Sequence, residues 1–238
     1  MRLRRPHRPV LIASAAAGLL LAVALPANAA VSTVALYEMN EPAGARTMVD
    51  SSGNGLNGSI GAAVQTGVAY GGAVGYRWSD VKPNEPPAKP ERLVLVPDND
   101  KLDPGTSTYT VTVRYRTLER FGNIIQKGQS ATVGGYFKFQ APKGIVKCLF
   151  KGSNGEQRTA SSKVPLNDGN WHTVTCKRTA TQVSMWVDGV VTSRANGPTG
   201  SISNKKPLAI GGKATCDQVT ITCDYFEGDI DYVKIEKG

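Results

Sequence analysis

The chain has 238 residues and a formal charge of +9, from 28 Lys and Arg against 19 Asp and Glu. Its basic residues are scattered and form no stripe interleaved with aromatics, which excludes a nucleic-acid partner. After Leu25 there is no second long apolar run, which excludes a membrane-spanning helix in the remainder.

In chain order, residues 1–29 read as a signal peptide. MRLRRPHRP carries four arginines and no acid, Val10 to Leu25 is apolar, and Ala27-Asn28-Ala29 is an A-x-A cleavage signature. Cleavage is expected after Ala29, with release as a secreted, extracellular and unanchored product. It removes four basic and no acidic residues and leaves a charge of +5 on residues 30–238. That mild charge suits an acidic polysaccharide or wall polymer. The remaining length suits one β-rich domain with a sizeable core, expected as a monomer.

No 3.6-residue apolar period long enough for a helix follows. Short alternating β-branched and aromatic runs recur instead: VSTVALYEM, ERLVLVP, TYTVTVRYRT, NIIQKG, GGYFKFQ, GIVKCLF, NWHTVTCKR, QVSMWVDG, PLAIGG and DIDYVKI. Turn signals such as Asp103-Pro104-Gly105 and Ser153-Asn154-Gly155 separate them, which predicts an antiparallel sandwich or barrel. In the third run, Tyr109, Val111, Val113 and Tyr115 share one face, and Thr110, Thr112, Arg114 and Arg116 share the other. Lys82 to Pro90 reads as a long surface loop with polyproline II character.

Four cysteines in an oxidising compartment predict two disulfides, with three possible connectivities. Cys148 and Cys176 lie in strand-like runs that could pair, and Cys216 and Cys223 bracket a short loop. The expected bridges are Cys148–Cys176 and Cys216–Cys223. With no C-x-x-C, and with His172 alone after residue 29, a metal cluster is not expected.

Four motifs carry a family likeness. They are Tyr37-Glu38-Met39-Asn40-Glu41 leading to Asp50-Ser51-Ser52-Gly53-Asn54-Gly55-Leu56-Asn57-Gly58, then Leu166 to Val174, then Val183 to Gly189, and finally Pro207 to Gly212 followed by Tyr225 to Asp231. Their order and spacing resemble the laminin G-like domains of the concanavalin A-like lectin/glucanase superfamily, most of all its bacterial secreted branch. The resemblance spans nearly all of residues 30–238. It implies an all-β jelly-roll sandwich of two antiparallel sheets, with the first and last strands paired.

The resemblance also raises two enzyme readings. Retaining β-glucanases of this superfamily carry an E-x-D-x-E strand, and Glu227-Gly228-Asp229-Ile230-Asp231 is similar. A retaining pair needs carboxyls ~5–5.5 Å apart, whereas positions i and i+4 of a flat strand are ~13 Å apart. The stretch also lies at the C-terminal end, not mid-chain, and reads as the closing strand. A polysaccharide lyase is suggested by Gly135 to Gln140 and Arg116 to Arg120, but the Gln-x-His element is missing. Alternation places His172 on the face of Val174 and Cys176, packed and not available as a base. No catalytic residue is therefore assigned.

A binding module remains. The turn Asp50 to Asn57 supplies hard oxygens of the kind Ca²⁺ prefers, and Asp50, Asn54 and Asp231 are the expected ligands of a structural Ca²⁺. Exposed aromatics are the usual sugar contacts. Trp78, Tyr76 and Tyr136 are the expected ligand-binding residues, with Tyr70 a further candidate. Trp171 is expected in the core and Trp186 facing solvent. The partner is a polysaccharide or cell-surface glycan, or a surface protein; the sequence does not separate them.

Overall fold

A computed structural model describes residues 1, 30–79, 90–215 and 224–238. The signal peptide, most of the Lys82–Pro90 loop and the Cys216–Cys223 bridge lie outside the described residues. The strands, in chain order, are β1 (Ser32–Tyr37), β2 (Thr47–Met48), β3 (Gly58–Ile60), β4 (Gln65–Tyr70), β5 (Ala73–Trp78), β6 (Val94–Val96), β7 (Tyr109–Arg116), β8 (Asn123–Lys127), β9 (Gly135–Gln140), β10 (Ile145–Gly152), β11 (Gln157–Pro165), β12 (His172–Arg178), β13 (Gln182–Val187), β14 (Val190–Asn196), β15 (Leu208–Ile210) and β16 (Gly228–Lys237).

They form two antiparallel sheets, the expected jelly-roll sandwich. The first runs β14-β13-β12-β7-β16-β5-β4, with β1 also on β16. The second runs β11-β10-β9-β8-β15-β6-β3-β2. As expected, the first and last strands pair, from Ser32 opposite Lys237 to Tyr37 opposite Val233.

The alternation read in β7 is realised: Tyr109, Val111, Val113 and Tyr115 are buried, and the residues between them face outward. Each such burial contributes ~1.5–3 kcal/mol. From the second sheet, Phe137 and Phe150 stack at 5.6 Å, and Tyr109 packs on Phe137 at 5.4 Å. Cys148 on β10 and Cys176 on β12 are fully buried and bonded. This bridge does not join strand neighbours; it pins one sheet to the other through the core.

Two buried cations close the ends. Arg178 donates to the carbonyls of Gly105 and Ser107 and to the Thr199 hydroxyl. Lys127, with no exposed surface, donates to Asp98 at 2.8 Å, to Asp103 at 2.7 Å and to the Asn204 carbonyl. At one side of the sandwich the edge strands β11 and β14 meet. Ser161 N–H donates to the Ser193 hydroxyl, and the Thr192 hydroxyl donates to the Ser161 carbonyl. These contacts shield edges that would otherwise template aggregation.

Candidate functional site

The outward face of the first sheet concentrates the charged groups. Asp229 on β16 lies in register with Arg77 on β5 and Arg116 on β7. Both guanidiniums turn onto its carboxylate, Arg77 at 2.7 and 3.0 Å and Arg116 at 2.7 Å. The register then slips between Ile230 and Tyr232. Asp231, two residues on from Asp229, shares its outward face by ordinary alternation, and there it accepts from Arg114 and from the Tyr70 hydroxyl. Gly75 makes room for that contact: a Cβ there would lie 2.9 Å from the Ile230 carbonyl oxygen and 3.0 Å from Asp231 Cβ.

The aromatic part is built from distant segments. Tyr70 ends β4, and Trp171 precedes β12. Their rings lie 4.4 Å apart, and the guanidiniums of Arg114 and Arg116 sit over Trp171 at 4.6 and 5.0 Å. Such cation–π contacts hold the arginines along the sheet surface. Beside them opens a groove of about 430 Å³, lined by Arg77, Arg116, Thr117, Leu118, Glu227 and Asp229 among others. Its walls offer planar hydrogen-bonding groups of both charges, the equipment that fixes polar ligands in apolar clefts.

The protonation states argue against acid–base chemistry here. Burial pushes the Asp229 carboxyl up, but the hydrogen bonds and charges of Arg77 and Arg116 outweigh burial and hold it below the ordinary carboxylate range. A general acid needs the opposite environment.

Of the expected Ca²⁺ ligands, Asp50 and Asn54 meet on the Ser52 hydroxyl, whereas Asp231 is engaged elsewhere. Asp50 accepts at Oδ1 from the backbone N–H groups of Leu36 and Ser52, and at Oδ2 from Leu56 N–H and the Ser52 hydroxyl. Burial pushes its carboxyl up, but these donors outweigh burial and lower it. Asn54 donates to the Thr33 and Val34 carbonyls, and its side-chain oxygen accepts from the Lys101 ammonium at 2.9 Å. Asp231 belongs to the Arg114 and Tyr70 cluster. A cation seeking six to eight oxygens does not fit a carboxylate filled with N–H donors beside an ammonium. Among the described residues no group of three or more His, Cys, Asp or Glu could hold a metal ion.

The expected sugar platform is also corrected. β5 is an internal strand, so Tyr76 and Trp78 alternate into the core and are 0% and 1% exposed. Tyr76 donates to Glu41, and Trp78 Nε1 donates to the Arg92 carbonyl. Tyr136 is 5% exposed but lies along a hollow on the second sheet. Trp171, expected in the core, is half-buried on the outward face, and Trp186 is half-buried as well. His172 is half-buried, with Nδ1 at 2.8 Å from Asp188 and Nε2 at 3.1 Å from Asp168. Burial pushes its pKa down, but the two carboxylates outweigh burial and raise it. Its ring clasps the turn before Trp171 to the β13–β14 hairpin.

A laminin G-like family model, described as the concanavalin A-like lectin/glucanases superfamily, matches residues 91–238. The chain belongs to the concanavalin A-like lectin/glucanase superfamily. Among curated proteins, the basement membrane-specific heparan sulfate proteoglycan core protein of Mus musculus is 29% identical over 126 residues, which is 51% of this chain and 3% of that protein. Among solved structures, domain 4 of AbnA, a GH43 extracellular arabinanase from Geobacillus stearothermophilus in complex with arabinotriose, superposes with a TM-score of 0.60 at 15% identity, covering 87% of this chain and 93% of that one. The botulinum neurotoxin serotype D ligand-binding domain in complex with N-acetylneuraminic acid gives a TM-score of 0.59 at 13% identity, over 87% of this chain and 47% of that one. These structural likenesses establish the shared fold. Within this superfamily member, β1 to β5 precede the matched range yet complete both sheets, and they supply Arg77 to the groove and Tyr70 to the aromatic stack beside it.

Proposed function

We propose that the chain is a secreted, non-catalytic, lectin-like module that binds a polysaccharide or cell-surface glycan in the groove on the first sheet. The observation that carries this reading is the juxtaposition of Arg77, Arg116 and Asp229 with the Tyr70–Trp171 stack. Planar charged groups pair with vicinal sugar hydroxyls, and an aromatic edge supports a sugar's C–H face. Two carboxylates held by arginines suit hydrogen bonding to hydroxyls better than proton transfer. The presence of arabinotriose and N-acetylneuraminic acid on proteins of this fold is consistent with the reading. The N–H donors on Asp50 and the ammonium on Asn54 support a reading in which binding does not depend on calcium.

The test is native electrophoresis of residues 30–238 through gels containing neutral or acidic polysaccharides, with EDTA or with Ca²⁺. Retardation without clearing of the polymer, equal in both buffers, is the expected result. Trp171→Ala should weaken it about tenfold, or ~1.4 kcal/mol. A cleared zone would return Glu227 and Asp231 to consideration as catalysts. Retardation by no polymer would favour a protein partner.

A further inference from the structure

His172 begins β12 and lies opposite Tyr115 on β7, so alternation gives it the face of Tyr115, Val174 and Cys176. Both of its ring nitrogens are engaged. Nδ1 lies 2.8 Å from Asp188 Oδ2, and Nε2 lies 3.1 Å from Asp168 Oδ1. An ionised carboxylate only accepts hydrogen bonds, and a neutral imidazole has one N–H to give. Two carboxylates on one ring require both nitrogens to donate, which is the imidazolium. The geometry itself specifies a charged His172.

The other groups around the ring keep their charge near neutral pH. Asp168 is held down to about 2 by hydrogen bonds from the backbone and side chain of Asn170, and then by His172. From β7, the Tyr115 hydroxyl is buried and has no hydrogen-bond partner among the described residues. Burial, then the charges of Asp188 and Asp168, push its pKa far up, so it stays protonated. Arg114, always charged, stands opposite Thr173 on the outward face. His172 is left as the group that titrates. Burial pushes its pKa down, but the hydrogen bonds and charges of Asp188 and Asp168 outweigh burial and raise it. Its contribution is fully present below the unfolded value and is lost as pH rises through the folded one.

The two arms of the clasp are not equally secured. Asp188 is fastened to β12 without the ring, because its Oδ1 accepts from Thr173 N–H and its own N–H donates to the Thr173 carbonyl, both at 2.8 Å. The longer contact, to Asp168, faces a lone pair once Nε2 loses its proton. Asp168 opens the turn that carries Gly169, part of the groove wall, and Trp171, stacked on Tyr70 at 4.4 Å.

We propose that Asp168, His172 and Asp188 form a proton-operated latch on the first-sheet groove. Protonated His172 holds the Asp168–Trp171 turn in place. The neutral ring repels Asp168, frees the turn and loosens Trp171 from Tyr70, Arg114 and Arg116. His172 is thus a positioning residue, not a contact of the ligand. The latch is a property of the free protein; only its effect on binding rests on the glycan reading.

The experiment is an NMR titration of residues 30–238 from about pH 5 to about pH 9, the range that spans imidazole titration. His172 is the one histidine of that stretch, so its ring signals report a single group. W171F assigns the Trp171 indole N–H against those of Trp78 and Trp186. The Trp171 signal is expected to move along the His172 curve while Trp78 stays still. H172Q should flatten it. D168N replaces the acceptor-only carboxylate with an amide that donates to a neutral ring, so Trp171 should keep its acid-side signal throughout. A Trp171 curve that ignores His172, or persists in H172Q or D168N, would overturn the latch. Affinity gels containing dextran or polygalacturonate, run at both ends of the range, read the effect on binding. Retardation of the parent chain should fall about threefold towards alkaline pH and stay level in D168N. Equal retardation of the parent chain at both ends, in a polymer that binds it, would also overturn the proposal. Retardation by neither polymer would count against the glycan reading alone, because the NMR curves decide the latch without a ligand.

Discussion

The two outward faces of this sandwich differ in where their cations find partners. On the first sheet, Arg77, Arg114 and Arg116 are held by Asp229 and Asp231 from the same sheet. On the second, Lys151 faces Tyr136 across a strand pair, and β8 to β11 supply no carboxylate. A cation paired inside the fold contributes to stability and presents a fixed hydrogen-bonding surface. A cation left without a carboxylate costs the fold little and keeps its charge for a ligand. The same sheet architecture thus separates a face whose arginines are held by carboxylates from one whose strands β8 to β11 supply none.

That contrast can be broken most forcefully by uncoupling the faces. Reducing Cys148–Cys176, which encloses a separation of 28 residues, should cost about 3–4 kcal/mol; a denaturant midpoint that does not move with reductant would contradict the pinning role. Asp229→Ala comes next. It leaves two arginines facing each other, and because both are about a third exposed the loss should be about 2 kcal/mol. Calorimetry would read this as a fall of roughly 4–8 °C in Tm.

Acid gives a smaller and graded effect. The folded pKa of Asp229 is depressed, so its contribution is present above the unfolded value and is lost as pH falls through the folded one. Asp50 behaves in the same way. Stability should decline below about pH 4, and less steeply in Asp229→Asn; parallel acid limbs in the two proteins would dismiss the ion pair. Smallest of all, Lys151→Ala and Lys206→Ala should each stay within about 0.5 kcal/mol of the parent chain. A larger loss in thermal melts would mean that the second face is structural after all.

The sandwich was legible because strand alternation is local. Tyr109 to Arg116 declares both faces of β7 without outside help, and the closing strand shows in DIDYVKI. Strands β11 and β14 were missed because QRTASSKVP and VVTSRAN carry little apolar alternation. Tyr76 and Trp78 were misplaced although a signal existed: aromatics two apart around Arg77 mark a core-facing strand with an outward cation. In Tyr136-Phe137-Lys138-Phe139 the same rule agrees with the expected outward direction of Tyr136, although its neighbours cover it to 5% exposure. The site on the first sheet was not legible, because the Tyr70–Trp171 contact joins remote segments and the arginines that hold Asp229 and Asp231 come from β5 and β7. Asp50 was misread for a related reason. An Asx-rich turn looks alike whether its oxygens face a cation or, as here, backbone N–H groups.

The pairing of β1 with β16 has a temporal consequence. Ser32 and Lys237 are 205 positions apart, yet the Ser32 hydroxyl donates to the Lys237 carbonyl. During synthesis β1 waits without its neighbour until β16 emerges, and the centre of the first sheet is missing until then. Topologies dominated by such distant pairings fold in roughly milliseconds to seconds, not microseconds. The nascent polypeptide therefore stays open until β16 has emerged, and closure of the sandwich waits for that strand.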